Sequence, residues 1–183
     1  RVAPVTAGVL ANPGSADSIA EQLKNLPIQK VVVVEDSSFE KNGIAAAVDA
    51  MAQVAQANPA SAILIASSAR GKEIAGRLAV RLESGIITDA VDLSADASAT
   101  QSVFGGSFTV SSKSVKGTPV ITVRPSAVEA EVSSTIPTVE KFQVSIGDKY
   151  KLVTISNVQP PVKGGRPELT EAKVVVSGGR GTN

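Results

Sequence analysis

The sequence contains no cysteine, no histidine and no tryptophan, and these absences close much of enzymology to it. Without Cys or His there are no disulfides, no thiolate chemistry, no zinc or iron–sulfur ligation, and no Ser-His-Asp or Cys-His pair. With four Phe and one Tyr among 183 residues, base-stacking platforms and aromatic cages are improbable and the core must be aliphatic. Neither sign of charge is in excess. Eighteen Lys and Arg stand against seventeen Asp and Glu, a formal net charge of +1, so no nucleic-acid partner is expected. No apolar run approaches the ~18 residues that cross a bilayer, and no basic-then-apolar leader opens the chain, so the expectation is a soluble protein without membrane insertion. The chain starts at Arg1 rather than Met and stops at Gly181-Thr182-Asn183, directly after a glycine-rich turn, and both ends read as cut.

What is present is 43% hydrophobic and 19% charged, enough for one core with a short extension. Short apolar runs alternate with amphipathic segments over the first two thirds, the pattern of a parallel sheet with helices on its faces. Val5 to Leu10 predicts a strand, followed by a helix capped by Ser15 with Ile19, Leu23 and Leu26 inward. The run Val31 to Val34 predicts a strand buried on both faces, closed by Glu35-Asp36. After Asn42-Gly43 a helix is expected with Ile44, Ala47, Val48, Met51, Val54 and Ala55 on one stripe, Asp49, Gln53 and Gln56 opposite, and a stop at Asn58-Pro59. A third unit runs from the strand Ala62 to Ala66 through Ser67-Ser68-Ala69-Arg70-Gly71 into a helix with Ile74, Leu78 and Leu82 inward, ended by Gly85.

Beyond it, Ile86 to Leu93, Ser102 to Thr109 and Pro119 to Val123 are strand-like with little helical sequence between, and Gly105-Gly106 suggests a hairpin or bulge. Connections this short cannot make parallel crossovers, so part of the sheet edge should be antiparallel. Glu129 to Pro137 is polar and aperiodic, Tyr150 to Val158 looks like another strand, and Pro160-Pro161 with Gly164-Gly165 reads as a linker. Pro167-Glu168-Leu169 can open a helical turn, and Lys173 to Val176 is a strand running into Ser177-Gly178-Gly179-Arg180-Gly181. The expected organisation is an α/β domain over residues 1–158, a linker over 159–172, and the start of a further unit over 173–183.

The turn Ser67 to Gly71 lies between a strand's carboxyl end and a helix N-terminus, a place that favours an anion such as a nucleotide phosphate; the plain alternative is that Ser and Gly cap the helix. The carboxylates Glu35, Asp36, Asp89, Asp92, Asp96, Glu129 and Glu131 are scattered. Adjacent Glu35 and Asp36 suit a hard cation or general-base work, but solvated turn residues are the commoner outcome. Lys72, Arg77 and Arg81 could dock an acidic partner or simply form a solvated helix face. In the Ser177 to Gly181 turn, glycines let a backbone approach a ligand closely, and Arg180 offers a fork suited to phosphate or an electron-rich ring edge, with an ordinary Gly-rich turn as the alternative.

The stretch RPELTEAKVVVSGGRG, Arg166 to Gly181, closely resembles the segment that opens the flavin-binding domain of the electron transfer flavoprotein alpha-subunit family. Ile63 to Leu93 and TPVITVRPSAVEA, Thr118 to Ala130, are similar to parts of the same family's first domain. The resemblance implies a three-layer α/β/α fold with a mostly parallel sheet and some antiparallel edge strands, like the adenine nucleotide alpha hydrolases, and a second domain that binds FAD. It implies an electron carrier rather than an enzyme, paired with a beta subunit. Electrons pass from acyl-CoA and other dehydrogenases to a membrane quinone oxidoreductase, in the bacterial cytoplasm or the mitochondrial matrix. Arg180 matches the family arginine that contacts FAD, with Gly178, Gly179 and Gly181 shaping its turn; no catalytic or metal-binding residue is expected. Two departures stand out. The family usually begins with a further strand and helix, so a central strand is expected to be absent here, and Gln101 to Ser107 replaces the family's arginine-proline and glycine-asparagine pattern, with Gly106 expected to keep the turn. The rival reading is a free-standing adenine-nucleotide-binding domain of universal-stress type using Ser67 to Gly71. A hydrolase or transferase built on Glu35 or Asp36 is the remaining enzyme reading.

Overall fold

The computed structural model describes residues 4–129, 132–133, 135–160, 164–165, 167–169 and 171–181. Arg1, Ala130, Glu131, Pro161, Arg166, Thr170, Thr182 and Asn183, on which some expectations fall, lie outside these residues. The order of elements is β1 (Thr6–Ala11), α1 (Ala16–Gln22), β2 (Lys30–Glu35), α2 (Ser38–Lys41), α3 (Gly43–Ala57), β3 (Ile63–Ala66), α4 (Ala69–Arg81), β4 (Ile86–Leu93), β5 (Ala99–Val103), β6 (Phe108–Ser112), β7 (Val120–Val123) and β8 (Thr138–Lys141).

The strands form two sheets rather than the single one expected, in the orders β1-β2-β8 and β3-β7-β4-β5-β6. The first is wholly parallel, and β2 lies in its centre with Val31 to Val34 at most 1% exposed. Val31 and Val33 bury against Ala16 of α1 and against Leu23 and Leu26 in the turn that follows it, while Val34 and Leu10 bury against α2 and α3 through Phe39, Ala46 and Ala50. This sheet therefore has the expected helix layer on each face. In the second sheet β3, β7 and β4 are parallel, and β5 and β6 add the antiparallel margin that the short connections demanded. Helix α4 covers one face, with Ala75, Leu78 and Ala79 packed on Val120, Ile63 and Ile65. The Gly105-Gly106 turn closes the β5–β6 hairpin, with Gly105 at φ +66° and Gly106 at φ +92°.

Several local expectations are corrected. Helix α4 is stopped by Glu83, which takes φ +51°; Gly85 is needed instead because a Cβ there would lie 2.3 Å from Ser114 Oγ. Tyr150 to Val158 is no strand: Asp148–Tyr150 is a single 3-10 turn and the rest is irregular, because its hydrogen bonds go to the helix pair rather than to a sheet edge. Lys173 to Val176 is likewise irregular, with no strand beside it among the described residues. The polar strand β8 has no counterpart in the sequence reading.

The core predicts its own sensitivities. Leu78, fully buried, should cost about 2–5 kcal/mol when changed to Ala, whereas Val80→Ala two residues on, at an exposed position on the other side of the helix, should change stability by less than about 0.5 kcal/mol. Urea unfolding of the two variants checks the contrast.

Candidate functional site

The carboxyl ends of β3, β7 and β4 carry a polar cluster. Ser67, just past β3, donates its hydroxyl to Asp89 Oδ1 at 2.5 Å and lies 3.1 Å from Thr122 Oγ1 of β7. Lys72 in the first turn of α4 closes the cluster with Nζ 2.6 Å from Asp89 Oδ2. Asp89 sits at an irregularity of β4 with φ +57°, a conformation that favours glycine, and its own N–H donates to Thr122 Oγ1 at 3.0 Å. The Lys72 ammonium first, then the Ser67 hydroxyl, hold the Asp89 carboxyl below the usual range.

This arrangement answers the question posed by the Ser67 to Gly71 turn. Ser68 caps α4 by accepting the N–H of Gly71 at 3.0 Å, and Gly71 is required because a Cβ there would lie 1.9 Å from Ala66 O. The hydroxyl of Ser67 is given to a carboxylate of the same chain. The Ser67 hydroxyl and the Gly71 N–H are thus engaged internally, and Ser68 serves as a cap.

Four of the other candidate carboxylates, Glu35, Asp36, Asp92 and Asp96, are also occupied. Glu35 accepts the N–H groups of Gly14 and Ala16, at 2.8 and 3.2 Å, and these two contacts, Ala16 foremost, lower its carboxyl. It does for α1 what Ser15 was expected to do, since the Ser15 hydroxyl turns back to Asn12 O. Asp36 accepts from Ser38 N–H at 2.7 Å and starts α2. Asp92 accepts from Leu93 N–H, and Asp96 is held low by Lys113 and by Ser98. No group of three or more acidic residues suited to a metal ion occurs among the described residues. The basic stripe on α4 is spent in the same way, Lys72 on Asp89, Arg77 on Glu73 and Arg81 on Asp49.

The Gly178 to Gly181 segment is different in kind. It lies after the irregular run Val174 to Val176, all exposed, and ends in a turn at Arg180-Gly181. No described atom comes within 4 Å of a Cβ built at Gly179 or Gly181, so these glycines are not imposed by the fold of this chain. Arg180 is exposed, and a guanidinium among glycines is a donor set suited to phosphate oxygens or a ring edge. That fits a contact with a flavin nucleotide, though not a whole pocket.

Comparison with known proteins bears on what this segment serves. The family model described as "Electron transfer flavoprotein domain" matches residues 1–146. The chain belongs to this family. It is 41% identical over 174 residues to the electron transfer flavoprotein subunit alpha of Mycobacterium leprae, covering 94% of this chain and 54% of that protein. It is 33% identical over 169 residues to the subunit alpha of Syntrophomonas wolfei, covering 90% and 53%, and 30% identical over 177 residues to a probable mitochondrial subunit alpha of Caenorhabditis elegans, covering 94% and 52%. The chain thus spans about half the length of the curated relatives it matches. No helix among the described residues is long and apolar enough to cross a membrane.

The Asp89 cluster predicts a pH dependence. Its pKa is lower in the folded chain than the ordinary ~3.9, so its contribution is complete above that value and is lost as pH falls through the folded pKa. Thermal melts from pH 7 to pH 2 should show Asp89→Asn less stable than the parent at neutral pH, the gap closing below about pH 4.

Proposed function

We propose that the chain is the α/β part of an electron transfer flavoprotein alpha subunit, and that Gly178, Gly179, Arg180 and Gly181 contribute to a site for FAD. The observation that carries this reading is the alignment of nearly the whole chain with subunits of that name, joined to an exposed Gly-Gly-Arg-Gly segment in which a Cβ at Gly179 or Gly181 would meet open space. Residues 1–158 are then the first domain, 159–172 a linker, and 173–183 the start of the flavin-binding domain. FAD supplies one- and two-electron redox chemistry when bound. This chain's part is to bring a charged fork to the cofactor through Arg180 and to keep the approach clear with small neighbours. The protein is read as a carrier rather than an enzyme. Its partners are a beta subunit, acyl-CoA and other dehydrogenases as donors in fatty acid oxidation, and a quinone oxidoreductase as acceptor, in the bacterial cytoplasm or the mitochondrial matrix.

The open edges of β1 and β3 fit the same reading. Each strand has a parallel neighbour on one side and none on the other among the described residues, and α3 packs against β1 and against α4, which lies on β3. A single parallel strand between them would join the two sheets, and Leu64, 52% exposed on β3, is the side chain it would help to cover.

Two measurements test the proposal. The purified 183-residue chain should be colourless, with most of the pocket supplied by residues beyond those it shares with its relatives; stoichiometric flavin absorbance in it would overturn that division. In the complete alpha–beta protein, Arg180→Ala should lower the FAD retained after gel filtration several-fold with an unchanged far-UV spectrum. Calorimetric titration of the chain with ATP or AMP, which the nucleotide-binding alternative requires to give heat, should give none.

A further inference from the structure

Asp49 stands on the face of α3 that its polar neighbours Gln53 and Gln56 assign to solvent, yet it is 2% exposed. A carboxylate removed from water is costly unless it is paired and hydrogen-bonded. Its Oδ1 meets the Arg81 guanidinium from the last turn of α4, and its Oδ2 accepts the N–H of Gly147 at 3.0 Å. Arg81 in turn donates to the Tyr150 hydroxyl and lies over that ring, 4.7 Å from its centroid. One ion pair therefore joins α3, α4 and the chain that follows β8.

That following chain crosses α3 as a strap held by side chains rather than by a backbone ladder. Gln53 exchanges hydrogen bonds with the N–H and C=O of Ser145, at 3.2 and 3.0 Å. The Asn42 amide donates to the carbonyls of Lys151 and Val153, at 3.1 and 3.0 Å, and Ile155 N–H reaches Lys41 O at 2.8 Å. Ile146 is the strap's buried apolar anchor, against Phe39, Ala46 and Ala50. Val31 and Val33 of β2 and Val120 of β7 lie in clusters that contain no strap residue, whereas Val34 shares its cluster with Ile146, so the strap can open while those three stay covered.

We propose that Asp49 and Arg81 are positioning residues, a latch that holds residues 142–155 across α3 and so fixes the direction in which the chain leaves the α/β domain toward Arg180. The latch itself stands on the geometry alone; its consequence for the cofactor rests on the flavin reading above.

Tyr150 is the sole tyrosine and there is no tryptophan, so the intrinsic emission of the 183-residue chain reports on the strap. Asp49→Asn keeps an acceptor for Gly147 but removes the charge facing Arg81, and Arg81→Gln provides a second variant at a partly exposed position should the first not fold. In either, acrylamide quenching of Tyr150 should rise several-fold and amide exchange at Ser145, Gly147 and Ile155 should quicken at least tenfold, while Val31, Val33 and Val120 to Thr122 exchange as in the parent. A Tyr150 that stays shielded, or sheets that loosen in step with the strap, overturns the latch. In the complete alpha–beta protein the same variants should keep their FAD and show lower flavin fluorescence anisotropy. A freed strap with unchanged anisotropy overturns the positioning step, whereas a parent complex that holds no FAD overturns the flavin reading and leaves the latch to be decided by the first measurements.

Discussion

Four consecutive valines, Val31 to Val34, are stable only when both faces of their strand are covered and both edges paired, and much of the first half of the chain is arranged to meet that demand. Burying one such side chain is worth about 1.5–3 kcal/mol relative to exposure. Against this, α1 is only seven residues long, below the length at which an isolated helix persists in water. It exists because Val31 and Val33 need a cover, and because Glu35 at the end of the same strand accepts two of its free N–H groups. The strand thus supplies both the apolar surface on which α1 forms and the charge that starts it.

A chain without histidine has put its carboxylates to structural use. Glu35 and Asp36 start the two helices that flank β2, and Asp89 satisfies Ser67 and Lys72 at the level where open α/β sheets usually bind ligands. Each is held by groups of the same chain, so none is poised to take a proton from a substrate. The same economy pairs Lys72, Arg77 and Arg81 of α4 with carboxylates, while Arg70 on that helix and Arg180, the guanidinium that the resemblance singled out, are exposed.

Elements with a strong period were legible in the sequence, and those decided by distant partners were not. β2, α3, α4 and β4 follow from runs and stripes that point to one structure. β8 does not, because Thr138 to Lys141 is polar and becomes a strand only by matching Lys30 to Val33 in register, with Glu140 placed 2.7 Å from Lys30. Tyr150 to Val158 has a β-rich composition, but Asn42 takes two of its carbonyls before any strand can. Asp49 was misread for a related reason: its neighbours at helical spacing are polar, and only the strap and Arg81, remote in sequence, turn that face inward. The Gly-Gly-Arg-Gly segment is the reverse case, recognised by resemblance while open space surrounds a Cβ built at Gly179 or Gly181.

The distribution of exposed apolar side chains ties these points together. In β2, β7 and α4 large aliphatic residues are buried or partly so, Val80 aside, yet from Leu152 onward eight among the described residues are exposed, Val174 to Val176 included. A surface of that kind on an ordered domain marks an interaction site rather than a solvated face. Ile155 N–H is bound to Lys41 O of the helix pair, so the strap lies between the packed helices and a stretch whose described apolar side chains are largely exposed. Whatever holds the strap in place therefore sets the geometry of that meeting, and the charge at its centre comes from α3 and α4, which pack on both sheets. The orientation of the exit is in this way coupled to the domain body through one buried pair instead of through the irregular chain that leads away from it.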